Sequence, residues 1–310
     1  MPKTRIFILG LGGLIVLALI LMLTGLIPGL KGPGGGKIQP VALNVWGVFM
    51  SPGTFAEIAA NIPGFAPNYR ELDPLTYEAD LVNALAAGKG PDVFMIHSSW
   101  APKHFEKLAP ISVSQLGISS LRDLYPTVVE QDFAPDSGAV YALPLYLDTL
   151  ALLYNKNIFD QKGVALPPAT WTEFQELIPK LRETDSAGRI VRPAAAIGGS
   201  GKNINRAADL ISLLMLQSGV NMTTSDFSKA TFAEKGRNPL LFYTKFANPA
   251  SEFYTWNDTQ KNSLDSFASE ETAIIFNYQY RLRALKEKNP FLEIGIAPMP
   301  QASKTGTAVK

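Results

Sequence analysis

The sequence predicts an α/β protein carried behind an N-terminal membrane segment, and three observations point that way. Residues 6–30 contain no charged side chain. From Val41 onward, strand-like and helix-like stretches alternate. One strand-like stretch, residues 93–96, is four consecutive apolar residues, too uniform to have a wet face and therefore interior and parallel.

The opening segment, MPKTRIFILGLGGLIVLALILMLTGLIPGL, is long enough to span a bilayer, which takes about 20 apolar residues. No Ala-x-Ala cleavage signal lies between Thr24 and Ala42. Residues 1–30 therefore read as an uncleaved transmembrane anchor, with a cleaved signal peptide as the alternative. Lys3 and Arg5 are balanced by Lys31 and Lys37, so charge barely sets orientation. The simpler topology keeps the short N-terminal tail inside and exports the body. Residues 31–40, KGPGGGKIQP, are too rich in Gly and Pro for regular structure and read as a linker.

Residues 41–49 are rich in Val, Trp and Phe and read as a buried strand. A short helix is expected to begin near Thr54, with Phe55, Ile58 and Ala59 on one face. YRELD, residues 69–73, is a second strand. Asp73, Pro74 and Thr76 signal a helix start. Tyr77, Leu81, Ala84 and Leu85 fall on one stripe of that helix, Gly88 ends it and Pro91 forbids its continuation. The strand over residues 93–96 then delivers His97, Ser98, Ser99 and Trp100. In open α/β sheets, ligands bind beyond the carboxyl ends of strands.

A second block follows. Residues 138–159 contain a long apolar strand region interrupted once, by Asp148. In PPATWTEFQELIPKLRE, Thr170 and Glu173 form a capping box, Phe174, Leu177, Ile178 and Leu181 make the buried face, and Pro179 should kink it. RAADLISLLMLQSG is apolar nearly all round and belongs in a core. ETAIIFNYQY is a strand ending in Asn and two tyrosines, and FLEIGIAPMPQ a final strand broken by Pro298 and Pro300. No internal repeat is present. Trp46 and Trp171 read as core.

Composition narrows the function. The 310 residues carry a net charge of +1 with no concentrated basic face, which argues against nucleic acid as partner. The absence of cysteine removes disulfides, thiolate nucleophiles and Cys-ligated metals. His97, His104 and Glu106 lack the pattern of a metal site. GGSGKN lacks the P-loop spacing and the Ser/Thr after Lys. Asp148 stands without an identifiable second carboxylate, although a partner for glycoside hydrolysis could come from elsewhere in the chain. No cofactor is called for.

Four segments together carry a resemblance. ALAAGKGPDVFMI, GAVYALPLYLDTLALLYNKNIF, PPATWTEF and ETAIIFNYQY resemble, in order and spacing over residues 43–300, the motifs of extracellular solute-binding proteins, family 1. The resemblance implies a two-lobed, type II periplasmic-binding-protein-like fold. Lobe 1 would span residues 41–146 and lobe 2 residues 147–292, with residues 293–310 crossing back. It implies an extracellular or periplasmic body holding a small solute, most simply a carbohydrate, for delivery to an ABC transporter permease. Ser98 and Ser99 fall where a family member places an Asp-Arg pair on sugar hydroxyls. Asp148 falls on the carboxylate at the first interlobe crossing, and Tyr280 on a stacking Trp. The loop over residues 198–206 falls on a segment of cleft contacts. Two departures stand out: Ser269-Glu270-Glu271 replaces a Gly-Lys, and family members run on well past APMPQ, so the C-terminal part of the fold is expected to be missing from this sequence.

The residue types suit sugars. Aromatic rings pack on C–H faces, and a carboxylate accepts from hydroxyls. Trp100, Trp256, Tyr278 and Tyr280 are the expected platforms and contacts, and Ser98, Ser99, Asp148, Asn203 and Asn205 the expected polar partners. The alternatives are a non-sugar ligand on the same fold, a surface protein without a transport role, and a glycoside-processing enzyme.

Overall fold

A computed structural model describes residues 41–134 and 139–303. The expected anchor and linker lie outside the described residues. Among those described, no helix is long and apolar enough to cross a membrane. The chain forms two compact units that divide between His97 and Ser98.

The first unit is a three-stranded parallel sheet in the order β2-β1-β3, built from β1 (Val41–Gly47), α1 (Pro52–Ala59), β2 (Phe65–Glu71), α2 (Tyr77–Ala86) and β3 (Val93–Phe94). Parallel neighbours need crossovers, which α1 and α2 supply. Helix α1 starts two residues before the expected Thr54, because the Ser51 hydroxyl caps the Thr54 N–H and Pro52 suits the first turn. Ala59 is buried and Phe55 stacks on Tyr69 at 4.2 Å, but Ile58 faces solvent. Helix α2 buries Tyr77 and Leu81 as its stripe predicts, and the Tyr77 hydroxyl donates to the Met95 carbonyl at 2.8 Å. Gly88, at φ +67°, ends that helix.

The strand expected over residues 93–96 is corrected. Only Val93 and Phe94 pair, on one side, with β1. This makes β3 an edge strand of the described sheet and leaves Val93 48% exposed.

The second unit opens on a 3-10 turn, Ser98–Trp100, followed by α3 (Ala101–His104), α4 (Ile118–Leu124) and α5 (Thr127–Phe133). Ala101, Leu121, Val129, Phe133 and Val140 form a small apolar cluster among them. The apolar run before Asp148 is not the strand it resembles: Leu143, Leu145, Tyr146 and Leu147 are exposed. Pro144 has no N–H for a ladder, and pairing begins only at β4 (Leu150–Asn155).

Beyond β4 come α6 (Lys156–Gln161), α7 (Trp171–Leu181), the short pair β5 (Glu183–Thr184) and β6 (Ile190–Arg192), and α8 (Ala207–Gln217). Then follow α9 (Arg237–Thr244), α10 (Ser263–Ala268), β7 (Ile274–Tyr278), α11 (Arg281–Lys288) and β8 (Ile294–Ala297). Strand β4 is central, antiparallel to β7 on one side and β8 on the other. Helix α7 has both halves of its capping box, and Phe174, Ile178 and Leu181 are fully buried. Pro179 sits in its last turn. Trp171 joins Phe174, Phe242 and Phe276 in tilted and edge-to-face contacts at 5.4–5.8 Å, so it is core as expected. Trp46 is only half-buried, with the Arg70 guanidinium 5.3 Å from its ring. Residues 274–277 are all buried, the mark of a strand covered on both faces.

Candidate functional site

The register of β4 and β7 sets the site. Leu150, the first residue of β4, pairs with Tyr278, the last of β7. Asp148, two residues before Leu150, therefore lies beside the chain as it leaves β7. Its carboxylate accepts from the Thr149 N–H at 2.9 Å and from the Gln279 and Tyr280 N–H groups at 3.4 Å each. The acid thus pins the turn between β7 and α11. That turn presents Tyr280, 53% exposed, with its ring 6.3 Å from that of Tyr278 and the planes 19° apart.

Two guanidinium groups frame the tyrosine pair. Arg206 caps α8 from a left-handed backbone, φ +69°, a conformation that costs a β-carbon-bearing residue energy and tends to gather at functional sites. Its guanidinium carbon lies 5.1 Å from the Tyr278 ring and 6.0 Å from the Tyr280 ring. It donates to the Tyr280 hydroxyl and stands 3.6 Å from the Asp209 carboxylate. Arg281, the first residue of α11, lies 4.9 Å from the Tyr280 ring. The Tyr278 hydroxyl has its pKa pushed up to about 12, first by burial, then by the negative charge of Asp209 and the bond it donates to that carboxylate. Arg206 pulls the other way, and Asp148 adds to the rise. Tyr278 is therefore a neutral donor at any ordinary pH.

Beneath the platform, buried Asn277 donates to the Asn205 side-chain oxygen at 2.9 Å and accepts the Tyr278 N–H. The structure thus brings together Asp148, Tyr278, Tyr280 and, through Asn277, Asn205. Ser98, Ser99 and Trp100 lie on another element, the 3-10 turn after β3, with both serines exposed and Trp100 half-buried.

Two expected contacts are corrected. Trp256 has no open ring face, since it is fully buried and its indole N–H donates to the Asn203 side chain at 3.1 Å. A β-carbon on Gly199 would come within 2.8 Å of the indole, so the loop lies directly on it. Asn203 in turn gives both amide hydrogens to the Asn257 and Gln260 carbonyls. Its hydrogen-bonding capacity is spent holding the loop. Arg206, Asp209 and Arg281 were not singled out in sequence. Arg206 closes the flagged loop over residues 198–206, and Arg281 directly follows the two tyrosines, but neither carries a periodic signal. Among the described residues, no three His, Asp or Glu side chains gather as a metal site would need.

Residues 73–309 match the family model described as bacterial extracellular solute-binding protein. The multiple sugar-binding protein of Streptococcus mutans is 25% identical over 177 residues, covering 55% of this chain and 40% of the relative. A putative binding protein of Brucella abortus is 22% identical over 261 residues, covering 80% and 58%. The chain thus spans 40% and 58% of the lengths of these two relatives. Among solved structures, the sugar-binding protein MalE of Xanthomonas citri superposes with a TM-score of 0.66 at 21% identity, covering 84% of this chain and 67% of that one. An ABC transporter solute-binding protein of Thermotoga lettingae, bound with α-D-tagatose, superposes at 0.58 and 24% identity, covering 84% and 68%. The fold is shared with these mixed α/β binding proteins.

Proposed function

The chain belongs to the bacterial extracellular solute-binding protein family, and from that premise we propose that it captures a sugar or oligosaccharide on the Tyr278–Tyr280 platform for an ABC importer. Members of the family are binding proteins rather than enzymes. The observation that carries the sugar reading is the pair of near-parallel tyrosine rings, one of them half exposed, beside an acid. Sugar C–H faces bury well against such rings at low entropic cost. Their hydroxyls demand hydrogen-bond partners, because a buried polar group left unpaired costs about 1–3 kcal/mol. The proposed ligand set is Asp148, Tyr278, Tyr280 and Asn205, with Ser98, Ser99 and Trp100 contributing from their turn. Residues 1–30 would hold the body at the outer face of the membrane. Ligand contacts made only in a closed form would favour that form, which the importer then reads.

Isothermal titration of the full chain in detergent against a panel of neutral and acidic oligosaccharides tests this. Saturable heat with at least one saccharide, without turnover, is expected. No heat with any of them, from a chain with a folded far-UV spectrum, overturns the sugar reading. Release of a hydrolysed product favours an enzyme instead.

A further inference from the structure

The guanidinium groups at the platform differ in one respect. Arg206 has its terminal nitrogens engaged, one with the Tyr280 hydroxyl and the other facing Asp209. Arg281 has no carboxylate within ion-pair distance among the described residues, whereas the Nε atoms of both arginines are buried without an acceptor. Its neighbours on α11 are not left so: Arg283 pairs with Glu287 and Lys288 with Asp265. Asp148, the acid beside the same turn, directs its oxygens at the backbone N–H groups of Thr149, Gln279 and Tyr280 instead. The platform therefore holds a cationic fork without an anionic partner beside an exposed aromatic ring.

A guanidinium presents a planar set of donors that matches a carboxylate or phosphate, and the charge-assisted bonds so formed are roughly twice as strong as neutral ones. A neutral hydroxyl would use one such donor and leave the charge uncompensated. We infer that the solute is an acidic saccharide, whose sugar ring packs on Tyr280 while its carboxylate or phosphate is taken by Arg281. This rests on the saccharide reading above and narrows it. Arg206, its charge paired with Asp209 and one terminal nitrogen on the Tyr280 hydroxyl, orients the tyrosines rather than meeting the anion.

The test is titration of the full chain in detergent with matched pairs. The pairs are glucuronate with glucose, galacturonate with galactose and mannuronate with mannose, as monomers and as trimers, with the hexose 6-phosphates as a further arm. At least one acidic sugar should bind about tenfold or more tighter than its neutral counterpart, a difference equivalent to about 1.4 kcal/mol. The margin should shrink as salt rises and disappear in Arg281→Gln, read as the ratio of acidic to neutral affinity measured within that variant. Arg281→Lys should restore part of it. The uronate and phosphate arms separate the two sources of the anion, and either one supports the inference. Equal affinity for acidic and neutral members overturns it and leaves the saccharide reading standing. Binding of neither overturns both. A margin that survives Arg281→Gln, with far-UV and thermal behaviour unchanged, also overturns it.

Discussion

Asp148 is exposed, yet its charge is spent on the protein's own backbone, holding the turn that carries Tyr280. Both of those bonds are 3.4 Å long and reachable by water, so Asp148→Ala should cost under about 1 kcal/mol of stability. It should nonetheless weaken saccharide binding about tenfold by loosening the platform. Titration and thermal melting check the two halves, and an unchanged affinity would take Asp148 out of the ligand set. Tyr278 supplies a pH prediction. Its folded pKa, about 12, lies above the ordinary 10.0, because burial and Asp209 hold the proton on. Its contribution to stability is complete below pH 10 and is lost as pH rises toward 12, where the unfolded chain gives up the proton and the folded one keeps it. Absorbance titration should show one phenol ionising near 12 that Tyr278→Phe removes. At this scale the sequence is legible where a residue violates its surroundings, as Asp148 does in an apolar run and the tyrosines do at a strand end. It is illegible where partners are distant. Nothing local to Trp256 reveals that its indole is satisfied by Asn203, or that Arg206 folds over Tyr278 and Tyr280.

Elements with a local chemical signature were readable almost to the residue. Thr170 and Glu173 exchange both bonds of the capping box at the head of α7. Thr170→Ala should therefore lower stability by about 1 kcal/mol, read from urea unfolding. Apolar runs misled, because hydrophobicity alone does not supply a hydrogen-bonding neighbour. Residues 93–96 and 141–147 look equally buried in sequence, yet the first is a strand edge and the second is exposed around Pro144. The loop that delivers Arg206 is held by a closer constraint. Gly198 sits at φ +95°, and a β-carbon there would lie 2.7 Å from the Ala247 nitrogen and 2.9 Å from the Phe246 carbonyl carbon. Backbone cannot move aside cheaply, so Gly198→Ala should cost about 1–3 kcal/mol. The same substitution should weaken saccharide binding through the displaced Arg206. A variant that melts and binds as wild type would show that the loop does not position the platform.

The buried mass of the molecule is unevenly shared. Among the described residues of the first unit the buried apolar side chains are few, chiefly Val45, Ala59, Tyr77 and Leu81. The second unit holds a continuous core from Leu150 to Met299, threaded by the Trp171–Phe174–Phe246 aromatic contacts and by both faces of β4 and β7. The described part of the first unit, residues 41–97, is of a size at which only about 60% of the unfolded chain's surface is buried. Local opening follows buried apolar contact rather than secondary structure. Paired amides of β1 and β2 should therefore exchange hydrogen faster than those of β4 and β7, although the ladders are of similar length. Saccharide bound at Tyr280 should slow exchange at β7 and the start of α11 by mass action on the folded state, by about 2.7 kcal/mol at a hundredfold excess over Kd. The platform stands at the edge of the larger buried core among the described residues, so a ligand bound there would find it preorganised. Exchange as fast in β7 as in β1 would mean that Tyr278 and Tyr280 stand on a labile base, and that binding must first order them.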